Sequence, residues 1–420
     1  MEHAVGSYLI LLSIACAVGI AVKGLTHVPY TIALTIVGLA IAIFRVGPDI
    51  RETGFGKELV FFVLLPPLLF QGSLHMQLDR LRRLIVPIAA FATIGVIVST
   101  VLIGSALFAT GVLPEMKVAM LFGALICTTD PVSVLAIFRQ SKVPADLKYL
   151  VEGESLFNDG TGVVVFVIVL DSIVSGAEFS LGGAVVEFLK VTLGGTAVGV
   201  GFGLIAYSIL RRFHDHLLEN AFCLLLCYGS FFVAEHFHLS GVIATVCSGL
   251  LIGNYGRTLA MDGKTTETVE TFFESIDFII NSLLFILIGL ELQEISGAQL
   301  RGHAGGIALA VLTVTLTRCL VIYPLFFGAR RFAGGLPGAW AHVLNWGGLR
   351  GSIPIALLLG LRGVPQLAEH RSTLLVLGFG VVCFSLIVQG LTMKPLIGAL
   401  KLQSDSSDLS DPAHQQKRLV

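Results

Sequence analysis

Charge is what this chain has least of. Of its 420 residues, 13% are charged and 55% are hydrophobic, and the mean hydropathy is +0.88. A water-facing surface needs about a quarter to a third of its residues charged, so a soluble domain of this length is excluded. The 27 basic and 28 acidic residues nearly cancel, and no basic tract supports nucleic-acid binding. All seven cysteines fall inside apolar runs. Without a C-x-x-C pair or a Cys/His cluster at zinc spacing, neither a metal finger nor a redox motif is indicated. They read as small apolar packing. The N-terminus, Met1-Glu2-His3, is no basic leader region, so the first apolar run reads as a retained helix.

What remains is a polytopic, all-α membrane protein. Apolar runs bounded by polar loops give about thirteen candidate spans of roughly 20 residues. They cover 6–25, 28–45, 57–75, 84–110, 116–139, 149–174, 181–209, 217–236, 239–253, 266–292, 303–328, 338–361 and 369–393. The runs 28–45 and 239–253 are short enough to be tilted or partly re-entrant. After Leu400 comes a polar tail, Ser404-Asp-Ser-Ser-Asp-Leu-Ser-Asp411, expected to be cytoplasmic and disordered. Lys and Arg crowd the loops on one side, as at Arg80, Arg82, Arg83, Arg139, Lys142 and Lys148. The positive-inside rule then puts the N-terminus outside and the C-terminus in the cytoplasm. Three basic residues fall within spans and need partners: Lys190, Arg318 and Arg350. Glu187 is a local partner for Lys190, which is expected to snorkel.

Two spans are interrupted. One carries Cys127-Thr-Thr-Asp-Pro-Val-Ser133 and the other Trp346-Gly-Gly-Leu-Arg-Gly-Ser-Ile-Pro354. Pro131 removes a backbone donor and disfavours helix at Asp130. Irregular backbone at membrane depth is tolerated only where it lines a cavity or is buried in protein. Broken helices in both halves of a chain point to an inverted-repeat transporter with its site between them.

The stretch Val151-Glu-Gly-Glu-Ser-Leu-Phe-Asn-Asp-Gly-Thr-Gly162 holds the strongest chemistry. Asp159 sits inside a hydrophobic segment, where an ionisable residue is a functional-site hypothesis by default. Helical spacing stacks Glu154 on Asn158 and Ser155 on Asp159. Oxygen donors of this kind suit a hard cation such as Na⁺. A carboxylate in that position can hold a proton or a monovalent cation, and competition between them is all an exchanger needs. The bland alternative is a structural acid that caps a broken helix or is hydrogen-bonded to Thr161. Asp130 either compensates a half-helix terminus or shapes the site with Thr129. Arg318 stays ionised and needs an anion, for which Glu154 is the economical partner. Arg350 competes for that role but lies where it could face water or a helix C-terminus. Asp277 and Asn281, one turn apart, read as interhelical glue or cavity lining.

Thr129-Asp130-Pro131, Glu154-Ser-Leu-Phe-Asn-Asp-Gly160 and Gly347-Gly-Leu-Arg-Gly351, with the order of the spans, resemble the NhaP-type branch of the monovalent cation:proton antiporters. Eukaryotic sodium/proton exchangers belong to the same superfamily. The resemblance implies an antiporter fold with crossed broken helices, no cofactor, and a homodimer working by an elevator cycle. It implies a transport domain over 1–396, with a dimerisation part at roughly 1–80 and 181–292 and a core at roughly 84–174 and 303–396. The short tail is 397–420. Carried over by position, Asp159 is the shared Na⁺ and H⁺ carboxylate, while Asp130, Ser155 and Thr129 complete or shape its site. Glu154 and Arg318 form a fixed pair, and Arg350 matches the Gly-Leu-Arg-Gly arginine. Asn158 stands where electrogenic relatives have a second Asp, which implies one-for-one, electroneutral exchange. Gln71 departs from the pattern: relatives commonly carry Glu there, and Gln supplies a carbonyl but no charge.

The expected activity is Na⁺/H⁺ antiport, with Li⁺ as a second cargo, in a prokaryotic plasma membrane and in the service of pH and sodium homeostasis. K⁺/H⁺ exchange is the rival in the same class. An intramembrane aspartyl protease using Asp130 and Asp159 is the rival in a different one. That protease would want both acids on unbroken helices, and it leaves Glu154, Asn158 and Arg318 without a task.

Overall fold

The computed structural model describes residues 2–24, 28–48, 57–176, 180–212, 215–256 and 263–402. Every regular element among them is helical. Among the described residues, nine helices are long and apolar enough to cross a membrane, and three shorter apolar ones accompany them. Together with the interrupted span formed by Trp340–Trp346 and Ser352–Gly360, they make about thirteen crossings.

In chain order these are α1 (Glu2–Gly24), α2 (Tyr30–Phe44), α3 (Val60–Leu74) and α4 (Leu78–Ala109). The first broken span is α5 (Met116–Cys127) followed by α6 (Val132–Ser141). Then come α7 (Ala145–Val174), α8 (Leu181–Leu210), α9 (His216–His236), α10 (Gly241–Gly256) and α11 (Gly263–Leu290). Next is α12 (Ala304–Ala329). The second broken span is α13 (Trp340–Trp346) with α14 (Ser352–Gly360), and α15 (Arg371–Ala399) closes the bundle.

Boundaries differ from the apolar runs where polar turns extend a helix. Helix α4 starts at Leu78, because Asp79, Arg80, Arg82 and Arg83 are helical although too polar for the membrane window. Helix α7 likewise begins at Ala145. Its end of the bundle is tied by Asp146, which pairs with Arg83 and lies 3.7 Å from Arg80. The tail expected to be disordered beyond Leu402 lies outside the described residues.

The helices divide their faces between lipid and core. On α12, Leu312, Leu316 and Leu320 are all exposed at four-residue spacing, the period of one helix stripe. Val185, Leu189 and Leu193 do the same on α8. The bilayer solvates such stripes, so association rests on close packing in place of hydrophobic expulsion. Glycines supply it: a Cβ on Gly38 of α2 would overlap the Ile286 carbonyl of α11. The largest buried cluster surrounds α5, α7 and α14, including Leu121, Phe122, Leu150, Ile355 and Leu357. The central helices therefore present interior side chains nearly all round.

Candidate cation site

Both interruptions are non-helical in the structure and meet each other. Residues 128–131 separate α5 from α6, and 347–351 separate α13 from α14. The Asp130 N–H donates to the Leu349 carbonyl at 2.8 Å, so each break satisfies part of the other's backbone. Pro131 sits at the N-cap of α6. Pro354 is the third residue of α14, where its missing N–H would have been unpaired anyway.

A helix ending inside the bundle leaves unpaired carbonyls and a partial negative charge. Here each one meets an arginine. Arg350 is 3% exposed and donates through Nη1 to the carbonyls of Cys127 (2.6 Å) and Thr128 (2.9 Å) at the end of α5. Arg318 reaches the end of α13, where Nη2 donates to the Leu344 carbonyl at 2.9 Å. Its Nη1 lies 2.7 Å from Glu154 Oε1. The third in-span cation, Lys190, pairs with Glu187 at 3.1 Å.

Two local widenings of helices serve the same region. A π-turn over Ala90–Gly95 in α4 frees carbonyls, and the Thr161 hydroxyl bonds that of Ala92. Thr161 is thereby directed away from Asp159. A second π-turn, Ser385–Gln389 in α15, presents Ser385, whose Oγ accepts from the Arg350 N–H at 3.0 Å.

Helix α7 runs unbroken past both interruptions and carries the polar stretch. Asn158 reads the backbone at Thr129: its Oδ1 accepts from the Thr129 N–H at 3.2 Å and its Nδ2 donates to Thr129 Oγ1 at 2.6 Å. Ser155 Oγ lies 2.9 Å from the same Thr129 hydroxyl. Ser155 and Asn158 thus hold the break in shape and do not line the open cavity. Asp130 Oδ1 accepts from the Val132 N–H at 2.9 Å, at the helix terminus its sequence position suggested. Glycine is required opposite, since a Cβ on Gly351 would run into the Asp130 carboxylate. Similarly, a Cβ on Gly348 would collide with the Arg318 guanidinium.

Asp159 is 8% exposed, and its Oδ1 is buried with no hydrogen-bond partner. It borders a cavity of about 140 Å³ that also reaches Thr128, Thr129, Asp130 and Gln71. The same cavity touches Asp277 and Asn281 of α11, and Asp277 Oδ1 accepts from Asn281 Nδ2 at 2.9 Å. From Asp159 it extends to Glu152 and Arg139, where α6 ends and α7 begins. Glu152 is the lining residue that the sequence reading passed over. The signal was there: Glu152, Leu156 and Asp159 are spaced at i, i+4 and i+7, one stripe of α7. Groups of three or more His, Cys, Asp or Glu placed to ligate a metal are absent among the described residues.

Residues 9–399 match the family model described as sodium/hydrogen exchanger, transmembrane. The chain belongs to that family. It is 39% identical over 401 residues to the Na⁺/H⁺ antiporter NhaH of Halobacillus dabanensis, covering 93% of this chain and 96% of that one. It is 38% identical to the Na⁺/H⁺ antiporter NhaP of Pseudomonas aeruginosa, over 83% of this chain and 82% of its relative. Among solved structures, the sodium proton antiporter MjNhaP1 from Methanocaldococcus jannaschii superposes with a TM-score of 0.78 at 20% identity, covering 96% of this chain and 99% of that one. The NhaP-type resemblance and the antiporter fold both stand. This family member is a multi-pass transporter and not an enzyme, which removes the aspartyl protease from consideration.

Proposed function

We propose that the protein exchanges Na⁺ for H⁺ by letting the two compete for Asp159. The observation that carries this reading is the Asp159 carboxylate itself: buried, with an unpartnered oxygen, bordering a cavity that also reaches Thr129, Asp130 and Gln71. A lone carboxylate at that depth is costly. Binding either a proton or a cation neutralises it, and so each ligand displaces the other. Thr129 and Asp130 shape the pocket beside it, Asn158 and Ser155 hold Thr129, and Glu154 with Arg318 braces the far side of α7. Gln71 contributes oxygen without charge. Antiport by the 39%-identical relative supports Na⁺ as cargo.

Asn158 is engaged with Thr129 through both ends of its amide, so a single carboxylate turns over per cycle and exchange is one-for-one. The dimerisation part (roughly 1–80 and 181–292) and the core (roughly 84–174 and 303–396) move relative to each other in an elevator cycle. The protein works as a homodimer, in a prokaryotic inner membrane, with its N-terminus outside.

The test is cation-triggered dissipation of a pH gradient in proteoliposomes, with Na⁺, Li⁺ and K⁺ in turn and the voltage clamped with valinomycin in the Na⁺ and Li⁺ arms. The reading expects a Na⁺ response that does not change with voltage. A K⁺ response of equal or greater size would replace the cargo, and a voltage-dependent one would overturn electroneutrality.

A further inference from the structure

The cation cavity is walled on one side by the first broken span and α7, which carry Asp130, Glu152 and Asp159. Its other walls are α3 with Gln71, the start of α14, and α11, which contributes Asp277 and Asn281. Asp277 is the one carboxylate the cavity draws from α11 among its lining residues. Its carboxylate is oriented by Asn281 one turn on, so its position does not depend on the break. The ionisable groups that share the cavity with Asp277 are Asp130, Arg139, Glu152 and Asp159. Arg139 is the basic residue of that lining, at the same end as Glu152, and its positive charge opposes the approach of Na⁺. His75 is half-buried just past the end of α3, with Nδ1 3.0 Å from the Gln71 carbonyl and Nε2 3.5 Å from Glu274.

On the reading that Asp159 binds the transported cation, we propose that Asp277 is a cation-attracting residue in the wall of its cavity. It holds a negative potential that offsets Arg139 and concentrates Na⁺ for delivery to Asp159 from that side. Asp277 touches no reacting atom, and Asn281 is its positioning residue. Because α11 falls in the proposed dimerisation part and α7 in the core that moves relative to it, Asp277 attends Asp159 only when the cavity faces this side. The effect is therefore one-sided. The opposite face of the membrane meets a different set of groups.

The experiment measures the Na⁺ dependence of exchange in right-side-out and everted membrane vesicles, for wild type, Asp277→Asn, Asp277→Glu and Asn281→Ala. Removing one charge near a cation path in a partly solvated cavity weakens attraction enough to raise KM about threefold or more. Asp277→Asn is expected to do so in one vesicle orientation only, with Vmax kept, and Asp277→Glu to restore the wild-type KM. Asn281→Ala gives a smaller rise. Raising ionic strength with choline chloride should increase KM in wild type and much less in Asp277→Asn, since screening acts on the charge that variant lacks. An equal KM in both orientations for Asp277→Asn and wild type would overturn the proposal, as would a fall in Vmax at unchanged KM that Glu does not rescue. Asp159→Asn is measured alongside. If it retains exchange, the reading of the site fails; if it abolishes exchange while Asp277→Asn behaves as wild type, only the role of Asp277 fails.

Discussion

Arg350 Nη1 lies 2.6 Å from the carbonyl oxygen of Cys127, joining one broken span to the end of the other. Arg318 makes the matching contact with Leu344. The two arginines thus complete the backbone of two helices that stop inside the bundle, and the gap so held open is the place where Asp159 meets the cavity.

Replacing Arg350 by Ala removes charge-assisted bonds to two buried carbonyls as well as the positive charge that compensates the end of a helix dipole. Bonds of that kind are worth about 1.5–3 kcal/mol each. We expect a fall in detergent-solubilised thermal stability and loss of exchange, with Arg350→Lys intermediate, because an ammonium can still donate to the carbonyls but is more strongly hydrated than a guanidinium and so costs more to bury. Thermal melting of purified protein reads this directly. A wild-type melting point for Arg350→Ala would contradict the capping role.

Glu154 and Arg318 should behave as a pair. Breaking a buried ion pair from one side costs about 3–5 kcal/mol, because the remaining charge is stranded. Glu154→Gln and Arg318→Gln are each expected to destabilise strongly, and the double variant less than their sum. Vesicles holding the surviving double variant should keep a Na⁺ KM within about threefold of wild type, since on this account neither side chain touches the cation. A KM change much larger than this would move Glu154 into the binding site.

Gly351→Ala places a methyl group against the Asp130 carboxylate. Overpacking of this kind costs about 1–3 kcal/mol, which the bundle can absorb. Expression and melting should change modestly while Na⁺ exchange falls at least tenfold, because the displaced group lines the cation cavity. Unchanged exchange would show that the geometry at Asp130 is not required.

Competition sets the pH dependence. If one carboxylate takes either ligand, lowering the pH raises the apparent KM for Na⁺ and leaves Vmax at saturating Na⁺ unchanged. In the range where the site is mostly protonated, the rise approaches about tenfold per pH unit, the slope of one linked proton. A KM independent of pH, or a Vmax that falls with it at fixed KM, would argue for separate proton and cation sites.

Much of this was legible in the sequence for physical reasons. Water-excluded spans must be long apolar runs, and their interruption at Thr128–Pro131 and Gly347–Gly351 showed because proline and glycine punctuate helices. Asp159 stood out because a carboxylate at that depth needs a reason. What spacing could not give was which element each polar group meets. Ser155 and Asn158 lie on the stretch that carries Asp159, yet their side chains turn to Thr129, a contact made only once α7 crosses the break. Arg350 could have faced water or a helix end; the end of α5 decides it. Glu152 was hidden by its neighbours, since polar residues in the first turns of a span read as interface, although its two-turn spacing from Asp159 marks the shared stripe. Asp277 needed α11 packed opposite, which no local pattern encodes.

The most direct measurement is Na⁺-triggered dissipation of a pH gradient by wild type and Asp159→Asn in the same proteoliposomes, across a range of pH. The account predicts a Na⁺-dependent response in wild type and none in the variant at any pH or Na⁺ concentration, with the variant folded by thermal melting. A variant that still exchanges Na⁺ for H⁺ would contradict it.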